Sequence, residues 1–205
     1  MEGWNGISLV SSLTRTSPGV VLTSDASGSW GCGAFESAGK WFQIQWLGAL
    51  DGAHITVKEL LPVVVACALW GSQWRGMTVR CRCDNAAVVA ILRSGTSKLP
   101  RAMHLMRCLF FFVAYYQIYL DPVHLPGRCN GAADSLSRNN LPRFLQLVPT
   151  AHCQPTPLPE GLLQALVLQS PDWTSDAWMT VLRSTFQKVQ PPPPFGLPSR
   201  ARGVS

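Results

Sequence analysis

Three runs with strand character crowd into residues 20–46, and from there to residue 140 helix-length and strand-length segments alternate. That order constrains the fold more than any other feature of the chain. Residues 20–25 (Val-Val-Leu-Thr-Ser-Asp) read as a short buried strand ending in an acid. Residues 30–36 and 40–46 read as two more strands, joined by the turn chemistry of Ser37-Ala-Gly39. Strands so closely spaced pair as an antiparallel meander. Thr56-x-x-Glu59 then fits a capping box, opening a helix that is apolar on nearly every side through residue 74. Pro62 predicts a kink or irregular first turns in it, because an interior proline loses a backbone hydrogen bond. A fourth strand over 77–84 places Val79, Cys81 and Cys83 on one face and Arg80, Arg82 and Asp84 on the other. Helices over 85–93 and 99–116, a fifth strand over 117–123 and a helix over 130–138 capped by Asn130 complete the unit.

Strands joined by helical crossovers run parallel. The first, fourth and fifth strands therefore form the parallel half of a mixed α/β sheet: three antiparallel strands, then two parallel additions, flanked by helices. We assign residues 1–19 as an N-terminal extension, 20–140 as the domain, and 141–205 as a proline-rich linker with short helices. Ten of the 16 prolines lie after Val148, and the helix candidates 158–169 and 176–188 sit isolated between them.

Seven cysteines follow no disulfide or zinc spacing and read as reduced, mostly buried apolar residues of an intracellular protein. The opening residues carry Glu2 and no adequate apolar stretch for a secretory signal, and the apolar runs 60–70 and 108–116 are too short to span a bilayer. The expectation is a protein of the cytoplasm or nucleus with no membrane partner. A net charge of +6 is compatible with a polyanionic partner without establishing one.

The acids are more informative. Between residues 60 and 120 the only one is Asp84, among Arg75, Arg80, Arg82, Arg93, Lys98, Arg101 and Arg107. Asp25 and Asp84 both fall at carboxyl ends of strands that this topology makes neighbours, where ligand sites of parallel sheets form. Glu59 comes from the start of the first long helix and Asp134 from the start of the last. Each has a structural alternative. Asp25 fits a turn before Gly28, Glu59 the capping box, Asp84 an N-cap, and Asp134 a favourable place near its helix N-terminus. Jointly placed, four carboxylates cannot all stay ionised without compensation, and hard cations such as Mg²⁺ or Mn²⁺ supply it. A pair of such ions activates water for in-line attack on a phosphodiester.

Thr23-Ser-Asp-Ala-Ser-Gly-Ser-Trp-Gly31, Thr56-Val-Lys-Glu-Leu60, Cys83-Asp-Asn85 and His124-Leu-Pro-Gly127, followed by Asn130-Gly-Ala-Ala-Asp-Ser-Leu-Ser-Arg138, resemble retroelement ribonuclease H domains. The likeness is closest to DIRS-like retrotransposons, which encode a tyrosine recombinase, and it covers roughly 20–140. It implies a ribonuclease H-like fold and a metal-dependent endonuclease that cuts the RNA strand of RNA–DNA hybrids, leaving 5′-phosphate and 3′-hydroxyl ends. It implies two Mg²⁺ or Mn²⁺ ions held by Asp25, Glu59, Asp84 and Asp134, with His124, in the loop before the last helix, assisting product release. By the same likeness Ser27 and Gly28 approach the RNA backbone, where the 2′-hydroxyl distinguishes RNA from DNA, and Asn85 touches the minor groove. Residues 173–186 look like the connector to a recombinase, so the chain is expected to be a fragment of a polyprotein lacking its reverse transcriptase and recombinase. The alternative is a catalytically silent module that binds hybrid or tethers such a polyprotein. Other nucleases fit less well. A proofreading-type exonuclease would carry Asp-x-Glu on its first strand, where Asp25 is followed by Ala26 and Ser27, and an integrase-like transferase would take a Glu where this chain has Asp134.

Overall fold

The computed structural model describes residues 18–167. The proposed N-terminal extension up to residue 17, the helix candidate over 176–188 and the recombinase-like connector lie outside the described residues.

Five strands form one mixed sheet in the order β3-β2-β1-β4-β5: β1 Val20–Ala26, β2 Gly31–Glu36, β3 Trp41–Gln45, β4 Thr78–Cys83 and β5 Tyr119–His124. β1, β2 and β3 pair antiparallel, while β4 joins β1 and β5 joins β4 in parallel. This is the mixed α/β arrangement expected from the sequence, three antiparallel strands and two parallel additions. The parallel pairs are bridged by helices, α1 Ile55–Trp70 between β3 and β4, and α2 Ala86–Ser94 with α3 Pro100–Tyr116 between β4 and β5.

Side-chain alternation divides the sheet into two faces. Cys32 and Ala34 of β2 and Leu22 of β1 enter the main core with α1 and α3. Gly33 points the other way, towards α4 Gly131–Ser137. A Cβ at Gly33 would stand 2.5 Å from the Leu136 Cβ, so only glycine lets α4 come this close to the sheet. Gly33 is the cross-strand partner of Asp25, so the same approach brings α4 to that acid.

Several local expectations change. Helix α1 ends at Trp70 rather than Trp74, and turns carry the chain into β4. The capping box does not form. His54 is the N-cap, its Nδ1 accepting the Thr56 amide at 3.2 Å, which leaves Glu59 inside the helix and free of a capping role. Pro62 lies within α1 without interrupting it. It loses a single backbone bond, and burial of almost every residue of this helix offsets that loss. Asn85, not Asp84, caps α2, its Oδ1 accepting the amides of Ala87 and Val88. His124 is the last residue of β5, opposite Cys83, rather than part of a loop. All seven cysteines are free; Cys129 and Cys153 are exposed and the other five buried.

Packing does not stop at the boundary expected at residue 140. Helix α5, Leu141–Leu147, sends Phe144 into a second core with Trp41 and Leu136, and the Phe144 ring lies 5.3 Å from that of Trp41. The Trp41 indole donates to the His152 carbonyl, and the Thr156 amide donates to the Trp41 carbonyl, which covers the β3 edge. Leu162 and Leu166 of α6, Leu162–Val167, enter the main core. Phe144→Ala is expected to destabilise the domain by about 3 kcal/mol, as removing a fully buried aromatic side chain does. A linker helix would give no shift in the urea unfolding midpoint.

Candidate metal centre

Asp25 sits near the end of β1, and Asp84 follows β4 directly. The parallel register pairs Thr23 with Arg82, and two residues on it brings Asp25 beside Asp84. Helix α1 starts above the same strand ends and supplies Glu59 from its second turn. One carboxylate oxygen from each of Asp25, Glu59 and Asp84 lies within 4.8 Å of the others. Residues separated by 34 and 25 positions in the chain thus meet at one spot.

The three acids are held differently. Both oxygens of Asp25 are engaged. Asn130 Nδ2 donates to Oδ1 at 3.0 Å and Ser137 Oγ to Oδ2 at 2.5 Å. Glu59 takes a bond from the Ala26 amide, while its Oε2 is buried with no partner. Asp84 is half-buried, and the turn Gly127–Cys129 lies close over it: a Cβ at Gly127 would stand 3.2 Å from its Oδ2.

Burial, more than anything else, raises the Glu59 carboxyl to about 8, and the charges of Asp25 and Asp84 push it further against the Ala26 bond. Asp25 rises to about 6, again chiefly through burial, with the Ser137 bond opposing and Asp84 and Asp134 adding. Three carboxylates with two raised in this way form a site short of positive charge. An orphaned, buried carboxylate oxygen on a member of an all-oxygen cluster fits a hard divalent cation. Asp25, Glu59 and Asp84 have the donor chemistry to hold one.

Asp134 is not among the three. Its Oδ1 accepts from Arg138 Nε at 2.6 Å, one helical turn on, although its charge still reaches Asp25. His124 is exposed, and its Nε2 lies 3.1 Å from the Asp84 carbonyl rather than from any carboxylate. The Ser27 hydroxyl is turned inward, accepting the amides of Trp30 and Gly31, so it builds the β1–β2 turn. Gly28 is exposed with open space about its α-carbon, and its carbonyl accepts Lys58 Nζ at 2.8 Å. Asn85 uses its carbonyl oxygen as the α2 cap. Of the basic residues that surround Asp84 in the sequence, Arg93 bonds the Pro122 carbonyl and Arg101 the Ala49 carbonyl.

In the sequence Asn130 reads only as a helix cap, and Ser137 and Lys58 do not stand out. Asn130 makes no side-chain cap; its amino group turns to Asp25 and the Ser24 carbonyl instead. The spacing held a signal. Residues 130 and 137 are seven apart, two helical turns, and so share a face.

No protein-family model matches the chain, and no curated protein does. Solved structures resemble it, among them the following two. One is an RNase H1 from the halophilic archaeon Halobacterium salinarum NRC-1, at 14% identity and a TM-score of 0.44, covering 60% of this chain and 96% of that one. The other is LC11-RNase H1, isolated from compost by a metagenomic approach, at 19% identity and a TM-score of 0.44, covering 62% of this chain and 97% of that one. Among the described residues no helix is long and apolar enough to cross a membrane.

Proposed function

We propose that this chain carries a metal-dependent endonuclease domain that cleaves the RNA strand of RNA–DNA hybrids. The observation that carries the reading is the convergence of Asp25, Glu59 and Asp84 at the carboxyl ends of two parallel strands, with one Glu59 oxygen buried and unpartnered. Mg²⁺ or Mn²⁺ bound there would lower the pKa of a coordinated water and neutralise charge developing on the phosphodiester. Asn130 and Ser137 fix the direction of both Asp25 oxygens, and the Ala26 amide fixes one oxygen of Glu59. Asp84 is the third ligand, and His124, whose imidazole lies beside the Asp84 carbonyl, is assigned to product release. Gly28 on its exposed turn and the amino group of Asn85 flank the cluster and are assigned to the hybrid backbone and minor groove. Two ions, Asp134 as a further ligand, a retroelement origin close to the DIRS-like elements, and reverse transcriptase and recombinase neighbours in a parent polyprotein belong to the same reading. They rest on the motif resemblance.

One observation favours a silent hybrid-binding or tethering module. The Asp134 carboxylate is ion-paired with Arg138 instead of joining the cluster. The two readings separate in a single titration. The protein is expected to bind a labelled RNA–DNA hybrid in Ca²⁺ without cutting it, then to release RNA fragments with 5′-phosphate ends when Mg²⁺ is added. Binding with no product in Mg²⁺ or Mn²⁺ would establish the silent module instead.

A further inference from the structure

Ser137 lies at the end of α4 and is fully buried. Its hydroxyl reaches Asp25 Oδ2 across 112 residues of chain and also lies 3.0 Å from the Asp134 carbonyl. Helix α4 contains a second buried serine, Ser135, whose hydroxyl bonds the Gly131 carbonyl at 2.7 Å and touches no acid. Two serines on one short helix thus have different tasks. Ser135 closes the helix on itself, whereas Ser137 ties it to the carboxylate of another element. The close approach that Gly33 permits brings this turn of α4 onto β1.

We infer that Ser137 is a positioning residue that sets the cation affinity of the Asp25–Glu59–Asp84 cluster by fixing the rotamer of Asp25 through its buried hydroxyl. The inference rests on the metal-centre reading above. A carboxylate held at both oxygens by neutral donors keeps its negative charge and loses rotational freedom, so it meets a cation without reorganising. With Ser137 removed, Asp25 retains only the Asn130 bond and can turn about its Cα–Cβ axis. Groups that orient metal ligands in this way commonly change affinity by about 10–100-fold when removed.

The test is Mn²⁺ binding by calorimetry on the full chain, with no substrate present. Wild type is expected to bind Mn²⁺, and Asp84→Asn to lose binding; wild type without binding would sink the metal-centre reading itself. Given binding, Ser137→Ala is expected to weaken it about tenfold or more, while Ser135→Ala stays within about twofold of wild type. Equal affinity of Ser137→Ala and wild type overturns the inference, as does an equal loss in Ser135→Ala, which would mean only that α4 had loosened. Should Ser137→Ala fail to fold by near-UV circular dichroism, Ser137→Cys fills the site with a slightly larger side chain of the same shape and a much poorer donor. It is expected to weaken binding in the same direction, and wild-type affinity in that variant overturns the inference equally.

Discussion

Asp84→Asn is expected to abolish Mg²⁺-dependent cleavage of an RNA–DNA hybrid, with initial rates falling by about a thousandfold or more. Cation stabilisation of the reacting phosphate is worth several kcal/mol, and each 1.36 kcal/mol is a factor of ten in rate. Asp84 is the acid to choose because the fold depends on it least. It is half-buried, it is not the α2 cap, and its carboxylate makes no hydrogen bond among the described residues. The amide has nearly the same shape, so far-UV circular dichroism and the unfolding midpoint are expected to stay close to wild type. Asp25→Asn would be a poorer test, since it also disturbs the bonds from Asn130 and Ser137. A hybrid-cutting rate that survives Asp84→Asn refutes the assignment.

The metal-free protein is expected to lose stability as pH rises, and Glu59 is the main cause. Its folded carboxyl titrates at about 8 against 4.5 in a free chain, so between those values the folded protein holds a proton that the unfolded chain has released. Raising the pH through that window therefore favours unfolding. Asp25 adds to the loss in the lower part of the window, between 3.8 and about 6. The stabilisation is fully present below about pH 4 and is lost by the time pH passes about 8, for a total on the order of several kcal/mol. Urea midpoints in EDTA at pH 5 and pH 8.5 measure it. Glu59→Gln is expected to flatten the dependence and to be more stable than wild type at pH 8.5, because its neutral side chain requires no proton. Mg²⁺ is expected to restore wild-type stability at pH 8.5 and to leave Glu59→Gln little changed. A wild-type midpoint that rises with pH in EDTA would contradict the geometry of the cluster.

The sheet was legible because its connections follow from length alone. Three strands within 27 residues have room only for hairpins, and the helices before β4 and β5 force those strands to run parallel. Once that topology is granted, Asp25 and Asp84 must meet, and the register from Thr23 and Arg82 bears this out. Other features were hidden for physical reasons. Thr56 and Glu59 match a capping box, yet the chain enters α1 two residues earlier and gives the cap to His54. Phe144 sits in proline-rich sequence that reads as linker, and the Trp41 it packs against lies 103 residues away. The pairing of Asp134 with Arg138 is an i,i+4 contact that the sequence displays openly, but its competition with the cluster depends on where α4 docks. Ser27 shows the same limit. Its place in the turn was evident, and the inward direction of its hydroxyl was not.

That Asp25, Glu59 and Asp84 share a divalent cation is tested most directly by anomalous diffraction from crystals soaked in Mn²⁺. The account predicts a strong anomalous peak within coordinating distance of all three carboxylates, with the unpartnered oxygen of Glu59 among its ligands. A well-ordered cluster with no peak, or Mn²⁺ bound only elsewhere on the molecule, would contradict it.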